Sequence, residues 1–240
     1  KKTGSLLRIW PAWYKQLESN IPGANDFIQK LCAIMFEREQ TILDIDSLFD
    51  NSEVGKQIRD LNIDSVFQKL LKRGVLTQYF KNDLPVLTFT IEAAWHYTLS
   101  LFLNELHEAS TGDGLVEVIN SKKSLQGIEE ASSLMLRDDI ISDRYNRVQE
   151  ILDNDESWDF VEICAPALAY AIEYQEEKEV IAVIENHVSV NLIPVLLEVW
   201  DTIGRGELLY GIVLWVSKSK EFEEISRYWK MKTYSLLVSI

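Results

Sequence analysis

The chain has 240 residues, 47% of them apolar and 10% aromatic, which is enough to bury one large core or two smaller ones. Its formal charge of −14 is concentrated in the second part: residues 1–107 carry 12 Lys and Arg against 13 Asp and Glu, while residues 108–240 carry 12 against 25. So acidic a surface repels phosphate backbones and anionic lipid, which turns expectation toward protein partners and away from nucleic acid or membrane.

Taken in order, residues 4–19 place Leu6, Leu7, Trp10, Trp13, Tyr14 and Leu17 at helical spacing around Pro11. This predicts a short docking helix or pair of turns, with Pro11 at a helix start and residues 1–23 leading in from an upstream domain. The first residue is Lys1 and the final stretch, residues 234–240, stays apolar, so the chain is expected to be cut from a longer polypeptide. Ile21-Pro22-Gly23 is a turn, and Asn25 or Asp26 is expected to cap a helix with Phe27, Leu31, Ile34 and Met35 on one face. Cys32 beside that face reads as a packed thiol, and its spacing from Cys164 suggests no disulfide framework, in keeping with a reducing cytoplasm.

Residues 44–49 predict a short second helix, followed by a polar excursion over residues 50–57. Ile63-Asp64-Ser65 opens a third helix with Val66, Phe67, Leu70 and Leu71 on one side, stopped by Gly74. The runs 75–80 and 86–89 are β-rich, and residues 81–85 supply turn residues, so they pair as a hairpin. A long helix follows over residues 91–107, burying Ala94, Trp95, Thr98, Leu99, Phe102 and Leu106. Two short helices, a third helix, a hairpin and a long helix are the order of a winged helix-turn-helix domain, placed at residues 24–107.

The pattern breaks near Ser110-Thr111-Gly112-Asp113-Gly114, and residues 108–123 read as a linker. Beyond it the periodicity is helical, with helices starting near Ser124, Asp139, Ser157, Lys178, Val190, Gly206 and Glu221. Ser124, Ser157, Val190 and Glu223 recur every 33 residues, the length of a helix-turn-helix repeat, so residues 124–240 predict an α-solenoid-like array, with an irregular bundle as the alternative. The expected fold is therefore mainly α with a small β-hairpin. The longest apolar run, residues 208–216, is too short to span a bilayer.

The common signatures of catalysis are missing, and the chain is read as a non-enzyme without a cofactor or metal. No phosphate-cradling glycine loop is present, and Gly204-Arg205-Gly206 sits between helices. His96 and His107, eleven residues apart on the same predicted helix, would stand roughly 16 Å from each other and cannot share a metal. The run Asp153, Asp155, Ser157, Asp159 resembles the start of a calcium loop, but Trp158 and Cys164 occupy the positions that need Gly and Glu. The paired acids Glu129-Glu130, Asp138-Asp139 and Glu176-Glu177 read as helix ends or solvated faces. For DNA binding, Lys69, Lys72 and Arg73 gather in the second half of the third helix, but Asp64 opens it and Asp83 offsets Lys81 in the wing. They read as a solvated face or a contact for an acidic partner.

The stretch Val86 to Leu103, VLTFTIEAAWHYTLSLFL, is more specific. A strand ending in an aromatic residue and running straight into a helix resembles the end of the winged-helix domain in STAND-type (NACHT/NB-ARC-like) P-loop NTPases, a superfamily of innate-immune receptors, apoptotic ATPases and bacterial antiviral ATPases. There the stretch reads aromatic, small, His, acidic, then a helix with Tyr and Ala, and here Phe89, Thr90, Ile91, Glu92, Tyr97 and Ser100 fill those places. The resemblance covers residues 24–107 and implies a cytoplasmic signalling protein of bacterial origin, with the ATPase upstream of Lys1. It implies a regulatory winged helix packed on that ATPase, a helical array that senses a protein ligand, and an oligomer in the full-length protein. In the family the His touches the phosphates of bound ADP. At the matching place Ile91 has no side-chain donor, so the resemblance implies a switch without that contact. Lys69, Lys72, Arg73, Phe89, Ile91, Glu92 and Trp95 are the interaction and switch candidates. The alternatives are a scaffold of helical repeats with a winged helix in a larger complex, and a DNA-binding regulator.

Overall fold

A computed structural model describes residues 6–50, 53–142, 146–153, 217 and 227–238. The helices expected to start between 157 and 221, with Cys164, His187 and most of the 33-residue pattern, lie outside the described residues. The chain is mainly helical with a small three-stranded antiparallel sheet. It divides into two compact units, residues 1–107 with 117–132, and residues 108–116 with 133–240.

In the first unit, α1 (Leu6–Asn20) is one continuous helix, and Pro11 lies inside it and not at a helix start. Pro11 has no N–H for the carbonyl one turn back, a loss the helix tolerates while its aromatic residues are held. Trp10 and Trp13 meet edge to face at 5.4 Å, and Tyr14 packs on Tyr97 at 5.9 Å. The cap of α2 (Ala24–Arg38) also differs from expectation. Neither Asn25 nor Asp26 caps it. Gly23 stands at the N-terminus with φ 85°, and the Glu18 carboxylate of α1 accepts from the N–H groups of Gly23 and Asn25 at 2.7 and 2.9 Å. A carboxylate reaching from the preceding helix satisfies the donors that a local cap would have taken. The expected face of α2 is buried, and Ala24, Ile28, Cys32 and Phe36 are buried as well, because α1, α4, α5 and α6 surround it. Phe27 on Phe67 and Phe36 on Phe102 anchor two of those contacts.

The stretch after α2 is more structured than its polarity suggested. β1 (Leu43–Asp44) leads into α3 (Ile45–Leu48), where Asp44 accepts from the Asp46 N–H at 3.0 Å. The polar excursion contains α4 (Val54–Arg59), which buries Val54, Gly55 and Ile58. Gly55 is required there, since a Cβ would stand 2.7 Å from the Leu48 carbonyl oxygen. α5 (Val66–Lys72) is capped by the Ser65 hydroxyl, which accepts from the Gln68 N–H, and it buries Phe67 and Leu70 before Gly74 turns the chain with φ 65°.

The hairpin is longer and its turn tighter than expected. β2 (Leu76–Lys81) pairs with β3 (Leu84–Phe89), so Lys81, Leu84 and Pro85 belong to strands, and β1 adds a third strand in the order β1-β3-β2. The turn is Asn82-Asp83, with φ 52° and 64°, as a type I′ turn requires. The Thr90 N–H donates to the Val75 carbonyl at 3.0 Å, which fixes Val75, Thr77, Tyr79 and Lys81 as the residues bonded across to β3. Pro85, opposite Phe80, therefore lacks a donor only on the side of β3 where β1 ends, because β1 reaches no further than Val86 and Leu87.

α6 (Glu92–Glu105) buries Ala94, Trp95, Thr98 and Leu99 as expected, and also Tyr97, Ser100 and Leu103, whereas Phe102 and Leu106, expected inside, are only half-buried. It stops before His107, which begins a 3-10 turn (His107–Ser110), so His96 and His107 are not on one helix. The stretch read as a linker holds α7 (Gly112–Ser121), and α8 (Ile128–Ile141) runs through Asp139, where a helix start was expected. α9 (Asn146–Asp153) and α10 (Arg227–Val238) complete the described helices.

In the second unit, Asp139 is not on a solvated face. It is buried and pairs with Arg147 at 2.8 Å, while Arg147 also donates to the Ala109 carbonyl at 2.9 Å. A buried carboxylate needs such a partner, so this pair fixes how α8, α9 and the 3-10 turn meet. No helix among the described residues is long and apolar enough to cross a membrane.

Candidate functional site

The junction between β3 and α6 forms the floor of a cleft of about 230 Å³ lined by Thr41, Ile42, Thr88, Phe89, Thr90, Glu92, Trp95 and Gln126. Its geometry follows from the chain direction. β3 ends on Phe89, two residues reverse the backbone, and α6 starts at Glu92 with Ile91 in an extended conformation and no side-chain cap. Trp95, one turn into the helix, then folds back on Phe89 with ring centroids 5.7 Å apart. Both rings are buried, so the turn is clamped by apolar contact and not by a cap.

A second layer closes over the junction from residues 122–127. The Trp95 indole N–H donates to the Gln126 carbonyl at 2.9 Å, and the Gln126 amide donates to the Glu92 carboxylate at 2.8 Å. Gly127, at φ 88°, lies against the ring of His96, where a Cβ would come within 2.4 Å of Cδ2. The His96 Nε2 is buried 3.8 Å from the Glu92 carboxylate and has no hydrogen-bond partner among the described residues. The same segment also grips the end of α2. The Lys122 ammonium stands 3.3 Å from the Glu39 carboxylate and 5.2 Å from the Phe36 ring centroid, and Ser124 hydrogen-bonds Glu39. The Ser124 hydroxyl, followed by Lys122, holds the Glu39 carboxyl below the usual carboxylate range.

Of the seven sequence candidates, Phe89, Glu92 and Trp95 come together in the cleft. Ile91 sits beside it with 54% of its surface exposed. Lys69, Lys72 and Arg73 lie on or just after α5, away from the cleft lining, and Lys69 pairs with Asp64 at 3.6 Å. The sequence reading missed Gln126, Thr41, Ile42 and Thr88, and named Thr90 only as part of the resembled stretch. Gln126 lies just before α8, in a stretch where only a helix start near Ser124 was expected, and nothing local says that its carbonyl meets an indole 31 residues earlier.

The cleft offers hydroxyls, an amide, one carboxylate and an aromatic wall. Glu92 in the first turn of α6 already answers the partial positive charge of the helix end, so an anionic ligand would meet a carboxylate there. Cys32 is fully buried, and burial pushes its thiol well above its usual range, which keeps it protonated and unreactive. Among the described residues no group of three or more His, Cys, Asp or Glu side chains is placed to hold a metal ion. The arrangement can clamp a strand to a helix and receive a side chain or a short segment. Comparison with protein-family models, with curated proteins and with solved structures found no match.

Proposed function

We propose that this chain is a non-catalytic regulatory module of a STAND-like signalling ATPase, with residues 24–107 acting as a winged helix packed on an upstream NTPase domain and the acidic helical part binding a protein partner. The observation that supports this reading is the clamp at the β3–α6 junction, where Phe89, Trp95 and Gln126 lock the stretch whose sequence resembles that family. A switch needs a joint with two packings that differ by on the order of a few kcal/mol. At this joint residues 122–127 add two hydrogen bonds to the Phe89–Trp95 pair, so moving that segment loosens the clamp. Ile91 at the family's His position leaves nucleotide state to be read through packing and not through a phosphate contact. The acidity of the helical part favours a basic protein ligand over nucleic acid.

The reading is tested in the parent gene. A glycine-rich phosphate loop, G-x-x-x-x-G-K-[ST], is expected within about 300 residues upstream of Lys1, the span of one nucleotide-binding domain. Its absence would remove the ATPase reading and leave a winged-helix and helical-repeat scaffold as the better account.

A further inference from the structure

One edge of the three-stranded sheet is unpaired among the described residues. In the order β1-β3-β2 one outer strand is β2, and its residues Thr77, Tyr79 and Lys81, with Val75 just before it, bond inward on the side of β3. The backbone groups of Gln78 and Phe80 therefore point outward, and both residues are exposed. No partner for these groups occurs among the described residues.

Folded proteins normally blunt such an edge with charges, proline or a bulge. Here the register runs unbroken from Leu76 to Lys81, the proline lies on the inner strand as Pro85, and the only charge on β2 is Lys81 at its tip. Phe80, 75% exposed, and Tyr79 present aromatic rings on opposite faces of this edge. Its ends are cationic. Lys72 and Arg73, at the end of α5 just before β2, and Lys81 at the far end are exposed and have no ionic partner among the described residues.

We propose that the outer edge of β2 is a docking site for an extended acidic peptide segment of a partner protein, which adds as a fourth strand. Main-chain bonds to Gln78 and Phe80 supply affinity, Phe80 and Tyr79 cover apolar side chains on either face, and carboxylates of the segment meet Lys72, Arg73 and Lys81. Duplex DNA fits less well. Asp60 and Asp64 are exposed where α5 begins, Lys69 is engaged by Asp64, and the wing tip offers Phe80, Leu84 and Asp83 beside its single lysine.

Anisotropy titration of the 240-residue chain with a labelled peptide of about ten residues, alternating Glu and Val around one Phe, should give saturable, salt-sensitive binding. Gln78→Pro removes an outward N–H without touching the bonds to β3, so it should weaken binding by at least about tenfold while the circular dichroism spectrum and Tm stay near wild type. Lys72→Glu combined with Arg73→Glu, on exposed positions outside the strand, should weaken it by a similar factor of about ten. Unchanged binding in both variants, or no binding at about 1 mM peptide, would overturn the proposal. So would tighter binding of a random duplex, or a concentration-dependent dimer abolished by Gln78→Pro, which would give the edge to nucleic acid or to a second copy. None of these outcomes depends on an upstream ATPase.

Discussion

Gly127 and Trp95 show how few atoms hold the junction together. Gly127 has φ 88° and its missing Cβ leaves room for the His96 ring, so Gly127→Ala combines an unfavourable backbone conformation with a steric clash. It should cost at least about 2 kcal/mol in urea unfolding, more than a typical surface substitution, and a cost near zero would mean that the turn relaxes freely. Trp95 contributes in two ways, by ring contact with Phe89 and by its N–H to the Gln126 carbonyl. Its burial was legible in the sequence because residues 94, 95, 98 and 99 follow helical periodicity. The hydrogen bond was not, because the acceptor is a carbonyl, which carries no residue identity. Asp139 is the opposite case. An acidic pair near a helix end reads as solvated, and the pairing with the distant Arg147 that helps make its burial tolerable is not visible locally.

Among the elements, the hairpin and the 122–127 segment carry the clearest consequences. Asn82 and Asp83 both hold positive φ, and a non-glycine at the second turn position is strained. Asp83→Gly should therefore raise stability by about 0.5–1 kcal/mol by thermal or urea unfolding, and a loss would mean that the Asp83 carboxylate contributes more than the strain costs. The bonds from Ser124 and Lys122 hold the Glu39 carboxyl below its unfolded value, so the stabilisation is present above the ordinary carboxylate range and is lost as pH falls through the folded-state value. Glu39→Gln should lower Tm near pH 7, and the difference from wild type should shrink below about pH 4. A difference independent of pH would mean that Glu39 acts by shape and not by charge. The hairpin was legible from β-rich runs flanking turn residues, yet its turn was placed too broadly because Pro85 reads as a breaker. Its position where β1 ends makes it harmless. β1 and α4 were missed for a related reason. Two- and six-residue elements have no room for periodicity, and tertiary contact stabilises them where local sequence does not.

For the whole molecule, helical periodicity and two β-rich runs anticipated a mainly helical protein with a small β element, and the described residues agree. The stretch 108–123 contains α7, since Ser, Thr and Gly near residues 110–114 mark a turn without forbidding a helix immediately after it. The proposed role rests on one joint between a strand and a helix, with a segment from later in the chain strapped across it. That joint is where an upstream motor and a downstream sensor would be coupled. Nucleotide hydrolysis by the intact polypeptide, compared between wild type and Trp95→Ala, measures the coupling. The account predicts that loss of the indole changes the basal rate by about tenfold or more in either direction while the protein stays folded. An intact polypeptide with no hydrolysis, or one whose rate Trp95→Ala leaves unchanged with the fold preserved, would contradict it.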